Sequence, residues 1–191
     1  MKKILSLVLA LTMVFAMAAC GSKTATETTA PAEQLPGSAL EIMETVWAGY
    51  GDEEKFPVIG GSMAAPVDGA PGSYDLADEN ITYSLLIPAD QLANVTEAAS
   101  MIHMMNANTF TGACYKLADG VKAADFGEAM KAAVMGNQWM CGFPDKLFIA
   151  AFGDSYVVVA FGVNDAMNPF MTHFEEAFAN PTMLINEAIA G

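Results

Sequence analysis

The segment from Lys146 to Val163, KLFIAAFGDSYVVVAFGV, constrains the fold more than any other part of this 191-residue chain. Two apolar runs of strand length flank Gly153-Asp154, and a short loop that begins with glycine is typical of a β-hairpin. The second run, VVVAF, shows no polar alternation, which indicates a strand buried on both faces. The sequence therefore predicts a sheet in which this strand is central.

Helical spacing of apolar residues, together with capping residues, predicts the elements around this hairpin. The predicted helices cover about 39–49, 90–105, 125–140 and 168–179, with a short final helix from 181, and the predicted strands cover 81–87, 109–117, 146–152 and 155–163. Residues 51–75 are expected to form a long irregular loop. The order α-β-α-β-α-β-β-α-α predicts an α+β fold: about four strands in a mainly antiparallel or mixed sheet, with helices packed on one face.

The chain begins MKKILSLVLALTMVFAMAAC, in which two lysines precede an uncharged apolar run from Ile4 to Ala19. This run is short for a membrane span, and it ends in small residues. With Ala18 and Ala19 directly before Cys20, the segment resembles the signal of a bacterial lipoprotein. The alternative is an ordinary secretory signal in which the cysteine has no role.

The lipoprotein resemblance implies that residues 1–19 are removed, that Cys20 is acylated, and that the protein is anchored at the outer face of the cell membrane. Residues 21–37 are rich in Thr, Ala, Glu and Pro and predict a flexible tether. Residues 38–191 are expected to form a single domain. Over about residues 80–180 its pattern resembles small lipoproteins of unknown function from Gram-positive bacteria, a likeness that implies no catalytic residue.

The charge of the chain excludes several classes of ligand. Without residues 1–19 it has six Lys against 22 Asp and Glu, a formal charge of −16, and it contains no Arg. No guanidinium group is present to hold a phosphate or carboxylate in a bidentate contact. Because the domain is strongly negative as well, nucleic acid is not expected as a partner.

The stretch MIHMMNANTF, residues 101–110, contains candidate ligands for a soft metal. Met101, His103, Met104 and Met105 offer the thioether and imidazole groups that copper(I) accepts. On the predicted helix 90–105, however, only some of these side chains can face one point. The alternative is that the methionines fill the core of a domain without a cofactor. His103 would then lack a clear structural role.

Two cysteines lie within the expected domain, Cys114 and Cys141. Outside the cytoplasm they can form a disulfide that closes a loop of about 28 residues and stabilises the fold by ~3 kcal/mol. The alternative is two free thiols, which behave as small apolar side chains.

The run LFIAAFGDSY resembles the first block of the GDSL-type esterases, in which a strand delivers a nucleophilic serine to a turn. That chemistry requires a histidine near Ser155 and a helix after the serine. Here a strand follows Ser155, and no aspartate stands three residues before His173. A hairpin turn is therefore favoured over an esterase site.

Acidic and aromatic residues border the loop predicted at 51–75. The acidic clusters Asp52-Glu53-Glu54 and Asp75 to Asn80 are candidate calcium ligands, but they lack the spacing of an EF-hand and are expected to form solvated turns. The aromatic residues near the loop are Trp47, Tyr50, Phe56 and Tyr74. They predict either an apolar pocket or partner surface, or ordinary core packing.

These features together favour a non-enzymatic lipoprotein, anchored through Cys20, whose domain binds an unknown protein or small molecule. Two alternatives remain: a copper-binding protein that uses His103 and its neighbouring methionines, and a GDSL-like esterase that uses Ser155. A cofactor is not expected.

Overall fold

The centre of the domain is an eight-stranded antiparallel sheet in the computed structural model, which describes residues 36–189. The strands are β1 (Val58–Gly60), β2 (Val67–Asp68), β3 (Gly72–Tyr74), β4 (Val95–His103), β5 (Phe110–Leu117), β6 (Lys146–Phe152), β7 (Tyr156–Gly162) and β8 (Thr182–Ala188). Their order is β2-β1-β4-β5-β7-β6-β8, and β3 pairs with β4 next to β1.

Helices cover both faces of this sheet. They are α1 (Ala39–Ala48), α2 (Ile81–Ser84), α3 (Ala123–Met135) and α4 (Asn164–Ala177), with short 3₁₀ helices at Ala89–Asn94 and Asn106–Asn108. One core lies beneath α1 and α4 and contains Phe110, Phe148 and Phe170. The other lies beneath α3 and contains Tyr115 and Phe126. The sheet therefore separates two apolar cores, and its middle strands are buried on both faces.

The predicted hairpin is confirmed, and β7 lies between β5 and β6 with all seven residues buried. Three residues, 153–155, connect its strands, and Gly153 has a φ of 57°, which glycine adopts without strain. The Asp154 carboxylate accepts hydrogen bonds from Lys122 Nζ (2.8 Å) and from the backbone N–H of Ala123 (3.0 Å). Asp154, in the turn between β6 and β7, thus caps the first turn of α3.

The predicted fold class is wrong in strand number and in layering. The sheet has eight strands, not about four, and the helices occupy both faces. Three of the extra strands, β1 to β3, lie within the segment expected to be an irregular loop, and all three belong to the β4 edge of the sheet. A fold with two cores follows because β4 to β7 present apolar side chains to both faces.

Three predicted elements have the wrong type. Residues 90–105 are a 3₁₀ turn followed by strand β4 rather than a helix. Residues 81–87 contain the short helix α2 rather than a strand, because Ile81 and Leu85 are buried four residues apart. Residues 182–188 form β8, which pairs with the free edge of β6, rather than a final helix.

The predicted signal at 1–19, the acylated Cys20 and nearly all of the predicted tether lie outside residues 36–189. Residues 190 and 191 of the expected domain also lie outside the described segment. None of the helices within 36–189 has the length and apolar character needed to cross a membrane.

Candidate functional site

A cleft of about 200 Å³ opens where β4 ends and α4 begins. Its polar lining consists of Glu54, His103, Asn108 and Asp165. Phe56, Val163 and Ala166 supply apolar walls. Several segments that are distant in sequence thus meet here: the loop after α1, the end of β4, the β4–β5 connection and the first turn of α4.

His103 is the most buried polar side chain of the cleft, with 7% of its surface exposed. Its ring stacks on Phe56 with centroids 4.8 Å apart and planes 6° from parallel. Its Nδ1 accepts the backbone N–H of Met105 at 2.9 Å. Since a neutral imidazole has one acceptor nitrogen, this contact assigns the proton to Nε2. His103 therefore presents an N–H donor in the cleft.

This tautomer limits the chemistry that His103 can perform. Burial lowers the pKa of His103 from its ordinary value, so the ring is neutral at pH 7. Its one lone pair already accepts the Met105 N–H, so neither general-base catalysis nor metal ligation is available without breaking that bond. Among residues 36–189, Nε2–H makes no hydrogen bond to protein, and it is not one of the fully buried polar atoms that lack a partner, so it is open to solvent. The arrangement suits hydrogen-bond donation to a ligand.

His103 should make the stability of the domain sensitive to acid. The unfolded state has the ordinary histidine pKa of about 6.5 and the folded state a lower one, so below about pH 6.5 the unfolded state binds more protons. As the pH decreases from about 6.5 to the folded pKa, the free energy of unfolding decreases. The decrease per pH unit is a fraction of the ~1.4 kcal/mol that one whole proton gives. Urea unfolding of wild type and His103→Phe between pH 7.5 and 5 measures this effect. Phenylalanine keeps the ring stack but does not titrate, and equal acid slopes would contradict the assignment.

Glu54 joins the cleft to the second histidine of the chain. Its Oε2 accepts the Gly51 N–H at 3.0 Å and lies 3.3 Å from His173 Nε2. The Gly51 hydrogen bond, followed by the nearby His173, lowers the pKa of Glu54, so this carboxylate is ionised at neutral pH. Glu176 lies 3.3 Å from the other ring nitrogen of His173. Glu54 thus carries a fixed negative charge at the cleft wall.

Aromatic residues support this wall from behind. Phe56 contacts Trp47 (5.5 Å between centroids), Tyr50 (6.1 Å) and Phe110 (5.4 Å). Tyr50 in turn packs against His173 at 4.6 Å. Burial, and secondly the charge of Glu54, raises the pKa of Tyr50, whose hydroxyl therefore stays protonated. Of the four aromatic residues predicted to border the loop, Trp47, Tyr50 and Phe56 form this cluster, whereas Tyr74 packs in the core beneath α3.

The predicted soft-metal quartet is divided between different environments. Because residues 95–103 form a strand, Met101 and His103 project toward the same face, and Met101 is fully buried in the core. Met104 and Met105 follow the strand and are about half exposed (54% and 53%). Within residues 36–189, no group of three or more His, Cys, Asp or Glu is placed to hold a metal ion.

The two cysteines of the domain are free thiols in the structure. Cys114 lies in the middle of β5 and is fully buried, and burial raises the pKa of its thiol well above the ordinary value. Cys141 lies in the exposed connection between α3 and β6. No disulfide joins Cys114 and Cys141 in this structure, so none contributes to its stability.

Ser155 lies far from the cleft. It follows Asp154 in the β6–β7 turn, whereas His103 lies beside the opposite end of the sheet, where Phe110 pairs with Gly162. The length of β7 separates these ends by roughly 20 Å. Neither histidine hydrogen-bonds Ser155 among the residues described. The structure does not bring together the residues of the predicted esterase site.

The acidic cluster around Asp78 organises a turn. Its carboxylate accepts the backbone N–H groups of Asn80 (2.8 Å) and Met63 (2.9 Å), and Asp75 accepts that of Ala77 (2.9 Å). These bonds lower the pKa of Asp78. The carboxylates thus serve the local backbone, as expected for solvated turns.

Comparison with protein-family descriptions, with curated proteins and with solved structures gave no match.

Sequence patterns indicated only part of the cleft. His103 stands out through its methionine neighbours, Glu54 belongs to a predicted acidic turn, and Phe56 is one of the aromatic residues predicted to border the loop. Asn108, Asp165 and the apolar walls Val163 and Ala166 carried no sequence signal. They reach the cleft because β5 pairs with β7, which brings the start of α4 next to the β4–β5 connection.

Proposed function

We propose that this protein is a membrane-anchored extracytoplasmic lipoprotein whose domain binds a partner without catalysing a reaction. The observation that carries the proposal is the cleft at the His103 end of the sheet together with the exposed apolar side chains beside it. The cleft offers a donor, carboxylates and apolar walls, but its histidine has no free lone pair with which to activate a nucleophile.

The apolar side chains beside the cleft come from two neighbouring loops. Met104 and Met105 belong to the β4–β5 connection, which also supplies Asn108 to the cleft. The α3–β6 connection, with Met140 (87% exposed) and Phe143 (60% exposed), packs against it, since a side chain at Gly142 would collide with Thr109 and the Asn106 carbonyl. We call these four residues the end patch. Exposed methionine and phenylalanine are typical of adaptable protein-binding surfaces.

The course of the chain is compatible with an anchor at Cys20. The chain enters the domain at the opposite end of β4 from His103, where the Ala39 N–H donates to Glu97 Oε1 (2.7 Å). From Glu97 to His103 the strand extends roughly 20 Å. Acyl chains on Cys20 would hold the protein at a membrane without a spanning helix. The cleft lies at the end of β4 remote from Ala39.

Site-specific photo-crosslinking tests the binding surface. A photoreactive phenylalanine analogue at position 143 or 105, introduced into the chain in a bacterial cell envelope, should give the same discrete cross-linked species from both positions. Tyr83, 85% exposed on α2, is the matched control and should not give that species. If position 83 crosslinks equally, or positions 143 and 105 give none, the end patch is not the binding surface.

The anchor has a separate test. With Cys20 intact, fatty-acid labelling should mark the protein, and the protein should fractionate with membranes. The Cys20→Ala variant should lose both properties while the folded domain remains, because the sheet and both cores lie within residues 36–189. Membrane fractionation that is unchanged in Cys20→Ala would contradict a lipid anchor at this residue.

A further inference from the structure

The two loops that carry the end patch contain no charged residue. Residues 104–109 read MMNANT and residues 136–144 read GNQWMCGFP. Residues 36–189 as a whole hold 20 Asp and Glu against five Lys. Asp145, which follows the second loop, accepts the Asn164 N–H at 2.8 Å. The end patch, with all four of its side chains more than half exposed, is therefore an uncharged apolar surface on a strongly acidic domain.

Contacts within and between the two loops hold this surface in place. In the first loop, Thr109 Oγ1 donates to the Asn106 carbonyl at 2.9 Å. In the second loop, the ring of Trp139 packs on Phe161 of β7, with centroids 5.6 Å apart. The loops meet at Gly142, where a Cβ atom would collide with Thr109 and with the Asn106 carbonyl. Because these contacts exist before any partner binds, little conformational entropy is lost when the end patch is covered.

The chemical groups of this surface are complementary to themselves. Methionine and phenylalanine pack on side chains of the same kind, and an amide is both a hydrogen-bond donor and an acceptor. The exposed polar side chains of the two loops are three amides and one thiol: Asn106, Asn108, Gln138 and Cys141. A two-fold symmetric dimer places the same surface of two copies face to face, so its interface must complement itself. The two loops meet this requirement.

Charge separates a second copy from other occupants. Nucleic acid and anionic lipid headgroups are repelled by the acidic domain. A basic partner would be selected by carboxylates within the contact, and the two loops supply none. Two like-charged copies, in contrast, can approach closely only through an uncharged surface, because any other contact sets carboxylates against carboxylates. The absence of charge from the end patch therefore favours a second copy.

We propose that the end patch is the interface of a two-fold symmetric homodimer; this proposal rests on the proposed binding function and names the partner as a second copy of the chain. The four apolar side chains of each copy pack against those of the other, and the amides hydrogen-bond at the edge of the contact. Four side chains per copy make a small interface, so we expect a dimer with a Kd of about 10–100 µM.

Sedimentation equilibrium tests the dimer in solution. The protein is the chain from residue 20 with Cys20→Ser, which contains the sheet and both cores, under reducing conditions. Met140→Asp should raise the Kd of the dimer at least about tenfold, because it introduces a carboxylate into the contact on both copies. Tyr83→Asp is the matched control: it makes the same change in charge at a position 85% exposed, against 87% for Met140, and should alter the Kd less than about twofold. A protein that stays monomeric up to about 1 mM, or equal effects of the two variants, would overturn the proposal.

Ionic strength distinguishes an uncharged contact from an ion-paired one. Repulsion between two acidic domains opposes dimerisation, and salt screens this repulsion without weakening apolar contacts. Raising sodium chloride from about 50 to about 500 mM should therefore lower the Kd about two- to fivefold. A Kd that rises with salt would mean that charged groups make the contact, and the assignment to the two loops would be wrong.

Cys141 reports the dimer in the full chain within the cell envelope. Its thiol is exposed in the second loop, whereas Cys114 is fully buried. Diamide, which takes up two electrons and two protons, should join the Cys141 thiols of two copies in one disulfide and give a species of twice the monomer mass. Cys141→Ser should abolish this species. Tyr83→Cys, added to Cys141→Ser, places a thiol outside the end patch; if it restores the species fully, the cross-link reports random collision and the proposal fails.

The photo-crosslinks from positions 105 and 143 separate the homodimer from the binding function on which it rests. A cross-linked species of twice the monomer mass supports both. A species that joins the chain to a different protein supports the binding function and overturns the homodimer. If neither position gives a species and the protein sediments as a monomer, both proposals are wrong.

Discussion

Replacing Phe170 with alanine should lower the free energy of unfolding by about 3–5 kcal/mol, the range typical of a fully buried phenylalanine. Phe170 is fully buried in α4, with its ring 5.5 Å from that of Phe110, 6.1 Å from Phe148 and 6.4 Å from Phe174. Alanine leaves a cavity between α4 and the sheet, which rigid aromatic neighbours cannot fill by local movement. Urea unfolding followed by circular dichroism measures the loss.

Phe143→Ala is the matched control for this experiment. It removes the same side chain from the end patch, where Phe143 is 60% exposed, and it should change stability by less than about 0.5 kcal/mol. Similar losses for Phe143 and Phe170 would mean that the packing of α4 on the sheet is wrong. A small effect of Phe143→Ala would also show that position 143 is dispensable for folding, which the crosslinking experiment requires.

Gly162→Ala should have the second largest effect, a loss of about 1–3 kcal/mol or more. Gly162 pairs with Phe110 on one side and with Lys146 on the other. A Cβ atom there would collide with the Thr109 carbonyl and come within 2.8 Å of the Phe110 Cα atom. Because the obstacle is the backbone of a paired strand, the ends of β5 and β7 must separate locally. Urea unfolding gives the loss, and amide shifts at Asn108 should report the movement of the cleft wall.

Gly51→Ala makes the same chemical change without the collision. A Cβ atom at this position meets its nearest neighbour, Glu54 Oε2, at 3.4 Å, an ordinary van der Waals contact. Its stability should remain within about 0.5 kcal/mol of wild type. Equal stability of Gly162→Ala and Gly51→Ala would show that the β5–β7 pairing is looser than described.

The elements predicted correctly from the sequence are specified by residues within or next to them. Ser38 caps α1 by accepting the Glu41 N–H at 3.0 Å, and Glu41 stands three residues after it, the spacing of a capping box. The hairpin at Gly153 is encoded by two apolar runs and one turn. Helices α3 and α4 were located by their buried faces. α4 begins earlier than expected, at Asn164, because Asp145 accepts the Asn164 N–H from another part of the chain (2.8 Å).

Strand β4 shows why the remaining elements were misread. Leu92, Val95, Ala99 and Ile102 recur at helical spacing, but β4 is covered on both faces by helices, so apolar residues occupy both sides of the strand. Without polar alternation, helix and strand cannot be distinguished locally. Four strands form because a neighbouring strand has an unpaired edge: β1, β2, β3 and β8. Such an edge exists only in the folded domain, so it leaves no local signal in the sequence. The cleft depends on the same pairings, which explains why only His103, Glu54 and Phe56 stood out in the sequence.

The position of β7 between β5 and β6 also determines when the domain can fold. Although β6 precedes β7 in the chain, β5 pairs with β4 on one side and with β7 on the other, so the β4–β5 half of the sheet keeps an open apolar edge until residue 162 is available. An exposed edge of this kind invites pairing with other chains. When the chain is synthesised from its amino end, most of its residues are therefore made before β5 and β7 can pair. Its folding is expected to be a late, cooperative event that depends on the last third of the sequence.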